Sequence, residues 1–321
     1  MLKVQGLKKA YGKIDVLDDL NMDVPQGALY GFIGPNGAGK TTAIKIMVGL
    51  LKPDEGFVSF GDKRVDQGKG DWKWEVGYVP DSFGVYDNLQ VSEYMEFFAS
   101  CYGIEGLKAR KRCEFLLEQV GLEDKISQYV DGLSRGMKQR LCLARALIHD
   151  PGFLILDEPS SGLDPGTRLE FKEILMDLKN QGKTILISSH VLSELSELCT
   201  DVGIIDKGKI LLSGSIQNIM SQVNTSNPLI ISIYGGRTER AVALMKSHPY
   251  VQTITVKGGD VAVRFSGDDE DETVLLQQLV DADIPVRSFS REKGSLESLF
   301  LELTRGGEER TVLKFENQSD M

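Results

Sequence analysis

At 321 residues the chain is too long for one small domain and fits two, and 41% hydrophobic with 26% charged residues suits a globular protein with a proper core. A formal charge of −10 argues against a nucleic-acid-binding face, which normally needs a basic stripe. Cys101, Cys113, Cys142 and Cys199 stand without CxxC pairs or metal-ligand spacing, which points to reduced thiols in a cytosolic setting.

The opening stretch, MLKVQGLKKAYGK, has no apolar h-region of a signal peptide, and no apolar run in the chain nears the roughly 18–20 residues that cross a bilayer. Any membrane role is therefore expected to run through a partner. LKVQGL and IDVLDDLNMDV, closed by Pro25-Gln26-Gly27, predict a small antiparallel sheet that feeds a buried strand, Ala28 to Ile33. A glycine-rich turn follows, then a helix over about Lys40 to Leu50. Residues from about Val91 to Leu122 read as helical with polar faces.

The pattern then alternates: helix over about Met137–His149, strand Phe153–Leu156, helix over about Gly166–Gln181, strand Thr184–Ile187. Strands alternating with helices predict an α/β core around a mainly parallel sheet. Composition turns polar at NIMSQVNTSNP, residues 218–228, which marks a domain boundary. Beyond it the expected order is strand Leu229–Tyr234, helix Thr238–Ser247, strands Val251–Lys257 and Val261–Phe265, helix Asp271–Ala282 and strand Pro285–Phe289. A closing helix, Ser295–Thr304, completes a βαββαβ order that suggests a ferredoxin-like split unit. The charged segment 305–321 reads as a tail of little order.

Chemistry concentrates in a few motifs. Gly34-Pro-Asn-Gly-Ala-Gly-Lys40-Thr41 matches G-x-x-x-x-G-K-[ST], and it follows an apolar strand and opens a helix. The glycines, Gly37 and Gly39 among them, let backbone N–H groups of the loop, with that of Asn36, converge on phosphate oxygens with no glycine Cβ in the way. Lys40 can reach the β- and γ-phosphates, Thr41 can ligate Mg²⁺, and Thr42 follows in a helix N-terminus that favours an anion. A bare glycine turn with an exposed lysine is the alternative, and the flanking strand and helix decide against it. Phe153-Leu-Ile-Leu-Asp157-Glu158 is an apolar strand ending in two carboxylates. Asp157 is placed to hold Mg²⁺, and Glu158 to polarise a water for in-line attack on the γ-phosphate.

Leu133-Ser134-Arg135-Gly136-Met137, ahead of a helix, decides the class. Here the sequence resembles the ATP-binding cassette (ABC) ATPases, whose signature runs Leu-Ser-Gly-Gly-Gln; Leu133, Ser134 and Gly136 match, whereas Arg135 and Met137 replace a glycine and the glutamine. Ser161-Gly162-Leu163-Asp164 resembles the family's D-loop, and His190 its switch histidine, which contacts the γ-phosphate. Tyr11 stands where the family places a ring that stacks on adenine. Asp81 departs from the pattern, because the family has a Mg²⁺-ligating glutamine after VGYVP; an aspartate also suits a hard cation. The resemblance covers about residues 2–214.

The resemblance implies a phosphate-loop NTPase core with an antiparallel β subdomain and a helical subdomain (about 82–150) over residues 1–220, and an accessory α+β domain over 226–304. It implies a head-to-tail dimer, with itself or with a related ATPase, in which ATP and Mg²⁺ are held between the Lys40 loop of one subunit and Ser134, Arg135 and Gly136 of the other. The GMKQRLCLARALIHDPGFLILDEPSSGLDP block and the appended domain look most like ATPase subunits of bacterial drug, antibiotic or lipid exporters. That implies a peripheral protein on the cytoplasmic face of the membrane, held by an integral-membrane permease, with residues 81–91 transmitting motion to it. A soluble ABC ATPase acting on nucleic acid or ribosomes is the rival, and such proteins carry a coiled-coil insertion or two cassettes. For the accessory domain the alternatives are a ligand-sensing or a dimer-stabilising role. Its acidic run Asp268–Glu272 lacks the spaced ligand-and-glycine pattern of a calcium loop and suits a helix N-terminus.

Overall fold

A computed structural model describes residues 1–65, 70–82, 84, 86, 88–220, 227–291, 299–300 and 313–314. The chain divides into two compact units, Met1–Ile216 with Thr304–Met321, and Gln217–Leu303.

In the first unit, β1 (Leu2–Tyr11), β2 (Ile14–Val24), β4 (Glu55–Phe60) and β5 (Lys63–Arg64) form an antiparallel sheet in the order β2-β1-β4-β5. Alternate residues of β1 and β2 point inward: Leu2, Val4, Leu7, Leu17, Leu20, Met22 and Val24 are buried in one core with Phe32, Ile44 and Ile155. β3 (Leu29–Ile33), β6 (Val76–Val79), β7 (Phe153–Leu156) and β8 (Thr184–Ser189) pair in parallel in the order β3-β8-β7-β6. β3, β7 and β8 are buried at every residue, as a sheet covered on both faces requires.

β9 (Asp201–Asp206) runs parallel to β3, and β10 (Lys209–Ser215) antiparallel to β9. Of the expected tail 305–321, Leu313 and Lys314 are described; they form β15, parallel to β10 at the edge of this sheet. The registers align the carboxyl ends of the central strands: Val79 lies beside Leu156, Leu156 beside Ile187, and Ile33 beside Ser189. Asp81, Asp157, the phosphate loop and His190 therefore emerge along one edge, where open α/β sheets bind ligands.

Helix boundaries shift from the expected ones for local reasons. α1 (Lys40–Met47) stops three residues before Leu50. Gly49 adopts φ 68°, Leu50 N donates to Lys45 O (2.8 Å) and Gly49 N donates to Ile46 O (3.0 Å), a Schellman termination. The helical stretch 91–122 is two helices, α2 (Val91–Cys101) and α3 (Gly106–Gln119), broken where Gly103 takes φ 67°. α4 runs Arg135–Ala146, two residues earlier than expected at its start, because Ser134 caps it by accepting from Met137 N (3.3 Å). α5 (Pro165–Asn180) starts with Pro165 behind an Asp164 cap, and α6 (Leu192–Ser196) follows β8.

The second unit has β11 (Leu229–Ile233), α7 (Thr238–Lys246), β12 (Val251–Lys257), β13 (Asp260–Phe265), α8 (Asp269–Asp281) and β14 (Val286–Arg291). Its antiparallel order β12-β13-β11-β14 is the arrangement of a ferredoxin-like split unit. Asp268 accepts from Glu270 N and Asp271 N (both 3.0 Å), so the acidic run serves as a helix cap. Of the expected closing helix 295–304, Leu299 and Phe300 are described and helical; the rest lies outside the described residues.

Candidate active site

A cavity of about 480 Å³ opens at the carboxyl edge of the parallel sheet. Asn36, Gly37, Gly39, Lys40, Thr41 and Thr42 line one side of it, and Asp81, Glu158, Ser161 and His190 the other. Gly39 caps α1 with φ 106°, and a Cβ there would lie 2.8 Å from Val16 O, so only glycine lets the loop close against β2. Thus α1 starts directly under the cavity with its free N–H groups facing it.

Lys40 is 6% exposed and holds three oxygens: it donates to Gly34 O (2.7 Å) and Pro35 O (3.3 Å) and pairs with Glu158 Oε1 (3.3 Å). The other Glu158 oxygen, Oε2, accepts from His190 Nδ1 at 2.8 Å. A carboxylate only accepts, so the ring proton sits on that nitrogen. Glu158 also carries a left-handed backbone, φ 47°, uncommon for a side chain with a Cβ and costing about 1–2 kcal/mol. Its N–H donates to Ser188 Oγ (2.9 Å), which pins that conformation.

Ser188 Oγ in turn donates to Asp157 Oδ1 (2.7 Å), and Thr41 Oγ1 approaches the same oxygen at 3.4 Å. Asp157 is 1% exposed. Burial pushes its carboxyl above the ordinary aspartate value against these two hydrogen bonds, and the nearby Asp81 and Glu158 carboxylates push the same way. Two acids, Asp81 and Glu158, thus line a pocket that holds one lysine, with the buried Asp157 carboxyl beside Thr41 at its wall. A divalent cation offsets that excess, and the hydroxyl of Thr41 with the carboxylates of Asp157 and Asp81 is a hard-oxygen set that suits Mg²⁺. Among the described residues no group of three His, Cys, Asp or Glu side chains is spaced to hold a metal alone. The ion would therefore enter with phosphate oxygens completing its shell.

Ser134, Arg135, Gly136 and Asp164 are not brought to this cavity. They form a second cluster, where the 134–136 turn packs on the 160–164 turn. A Cβ on Gly136 would lie 2.3 Å from Thr167 Cγ2, and one on Gly162 would lie 2.5 Å from Arg135 Nη1. Asp164 accepts from Thr167 N (3.1 Å) and Thr167 Oγ1 (2.6 Å). Tyr11 lies outside the cavity lining, 52% exposed at the end of β1 with Lys9 Nζ 5.9 Å from its ring. Sequence reasoning missed Val16, which lines the cavity from β2, and Ser188, which joins Asp157 to Glu158. The available signal was the pair of serines ending an apolar strand in ILISSH.

Comparison with known proteins places the chain in a family. The family model described as "ABC transporter" matches residues 17–161. The linearmycin resistance ATP-binding protein LnrL of Bacillus subtilis (strain 168) is 31% identical over 306 residues, 95% of this chain and 98% of that protein. The chain belongs to the ABC transporter ATPases. A second family model, "ATP-binding protein DrrA1-3-like, C-terminal domain", matches residues 214–304. The bacitracin transport ATP-binding protein BcrA of Bacillus licheniformis is 35% identical over 308 residues, 96% of this chain and 98% of that protein.

Solved structures of the family agree. "Structure of ATP binding subunit of ABC transporter" superposes with a TM-score of 0.63 at 31% identity, covering 70% of this chain and 93% of that one. The dimeric post-hydrolysis cassette MJ0796 bound to ADP and Pi gives a TM-score of 0.62 at 25% identity, over 67% and 99%. The chain is thus an ATP-binding, ATP-hydrolysing cassette subunit. Among the described residues no helix is long and apolar enough to cross a membrane.

Proposed function

We propose that this cassette hydrolyses ATP between Lys40 and the Glu158–His190 pair and drives a separate integral-membrane permease that exports an antibiotic, drug or lipid. The observation that carries the hydrolytic part is the chain of contacts Lys40–Glu158–His190 across the mouth of the phosphate loop. The relatives' names, linearmycin resistance and bacitracin transport, support the export part.

In this reading Lys40 exchanges its carbonyl and Glu158 contacts for the β- and γ-phosphates. Asn36, Gly37, Gly39 and Thr42 cradle the phosphates by their backbone and the helix N-terminus. Thr41, Asp157 and Asp81 would hold Mg²⁺, which when bound would supply positive charge to offset that of the phosphates. Glu158, released by Lys40 and still held by His190, orients and polarises the attacking water. Ser134, Arg135 and Gly136 act on the nucleotide of a second subunit, with Asp164 at the same face. The solved MJ0796 dimer supports such a pairing. Tyr11 would meet adenine only as the exposed end of β1 turns toward the pocket. The cassette then works at the cytoplasmic face of the membrane, and the unit 217–303 stabilises the dimer.

Two experiments test the reading. With ATP and Mg²⁺ the Glu158→Gln chain is expected to run at twice the mass it shows with ADP, by light scattering after gel filtration. A mass unmoved by saturating ATP overturns the sandwich. For the metal, Asp81→Ala is expected to raise the Mg²⁺ concentration for half-maximal ATPase by about tenfold, and Asp81→Gln to change it less. Wild-type Mg²⁺ dependence in both variants removes Asp81 from the ion.

A further inference from the structure

A second, smaller cavity of about 130 Å³ lies behind the hydrolytic pair. Glu158, Ser161 and His190 bound it on the side of the nucleotide pocket, and Arg168 and Glu194 on the other. Arg168, in the first turn of α5, makes two contacts with different segments. Its Nη2 donates to Leu163 O (3.1 Å), inside the 160–164 turn, and its Nη1 donates to Glu194 Oε1 on α6. Its Nε is buried with no partner among the described residues. One turn further along, Lys172 Nζ pairs at 3.0 Å with Oε2 of Glu197, the residue that ends α6, so α5 is tied both to α6 and to its end.

We propose that Arg168 is a positioning residue for hydrolysis: through Leu163 O and Glu194 it makes the placement of His190 against Glu158 depend on the conformation of the 160–164 turn. This rests on the reading that Glu158 and His190 act together at the γ-phosphate. Glu194 stands four residues after His190, on a helix that begins two residues after it. Rotating or sliding α6 therefore swings the imidazole that fixes Glu158 Oε2. On the other side, the 160–164 turn packs against Arg135 at Gly162 and ends at Asp164, the cap of α5. A planar guanidinium can serve a carbonyl and a carboxylate in one fixed geometry, which an ammonium on a flexible stem cannot. The Arg168 fork is thus a rigid link between a turn packed on residues 134–136 and the histidine beside the reacting phosphate. Small displacements at that histidine are costly, because an ångström of misplacement at a reacting centre is enough to slow chemistry by orders of magnitude.

The test uses the full chain with steady-state ATPase, equilibrium binding of ATP and thermal melts. Arg168→Lys keeps the charge and loses the fork; Glu194→Gln keeps the shape and an acceptor oxygen but loses the charge that strengthens the link. Each is expected to lower kcat about tenfold, with KM and ATP affinity within about twofold of wild type. The double variant should be no slower than the slower single, since both weaken one link. Wild-type kcat in both single variants overturns the proposal, as does a loss confined to ATP affinity or one that multiplies in the double. A fall in kcat that merely tracks a fall in melting temperature also overturns it, by assigning Arg168 a structural role alone. Glu158→Gln run alongside separates the two readings. If it turns over ATP normally, the assignment of Glu158 fails and takes the link with it. If it is inert while Arg168→Lys and Glu194→Gln are normal, only the link falls.

Discussion

Replacing Glu158 by glutamine is expected to lower ATP turnover by at least about 100-fold while leaving ATP binding intact. Glutamine keeps the volume and still offers Oε1 to His190 Nδ1, so the 2.8 Å hydrogen bond has a partner. What is lost is the negative charge that polarises a water, and general-base groups contribute roughly 10²–10⁴ to rate. Loss of the Lys40–Glu158 pair at 3.3 Å also frees the lysine for phosphate, so affinity should hold or rise. The signature is a fall in kcat with KM unchanged or lower. A variant that keeps a tenth or more of wild-type kcat moves the base elsewhere, and one that loses ATP binding makes Glu158 a binding group.

Asp157→Asn should produce the second large effect, and with opposite signs on activity and stability. The wild-type carboxyl is 1% exposed and its pKa is raised, mainly by burial and further by Asp81 and Glu158. The fold therefore prefers the protonated form. The stability that preference contributes is present below the unfolded pKa and is lost as pH rises through the folded pKa. At pH 7 the wild-type chain carries the unfavourable charge, and asparagine, which still accepts from Ser188, removes it. The nucleotide-free variant is expected to melt about 3 °C higher than wild type at pH 7, with the gap closing as the pH approaches 4. Magnesium-dependent ATPase should drop by about 100-fold or more. Binding of Mg-ATP stabilises only the state that holds it, so wild type should gain the larger increment and the order of melting temperatures should reverse. An equal or lower melting temperature for the nucleotide-free variant at pH 7 contradicts the electrostatic cost assigned to Asp157.

Much of this was legible in the chain itself, because local patterns carry it. The alternation in LKVQGL and IDVLDDLNMDV gives the antiparallel sheet, and buried FLIL ahead of two acids gives both a central strand and its chemical end. The order βαββαβ after residue 228 was enough to anticipate the sheet order of the second unit. Other features were hidden because they are relations between distant residues. Ser188 matters only because β7 and β8 pair in register, which puts its hydroxyl beside residues 157 and 158. Arg168 and Glu194 are ordinary charges on amphipathic helices until α5 and α6 lie side by side. The Gly49 and Ser134 terminations shifted helix ends by two or three residues, since capping competes with propensity over a single turn.

The Ser188 hydroxyl has a consequence for how this enzyme can vary. A single oxygen accepts from the Glu158 backbone and donates to Asp157, so the metal side and the water side of the reaction share one pivot. Neither side can be retuned through β8 without disturbing the other. Asp81, in contrast, follows a different strand, β6, and makes no contact with that hydroxyl, so it can change without moving the pivot. Substitutions that adjust turnover without dismantling it are thus expected away from that pivot, and Asp81, at the cavity's edge, is such a position.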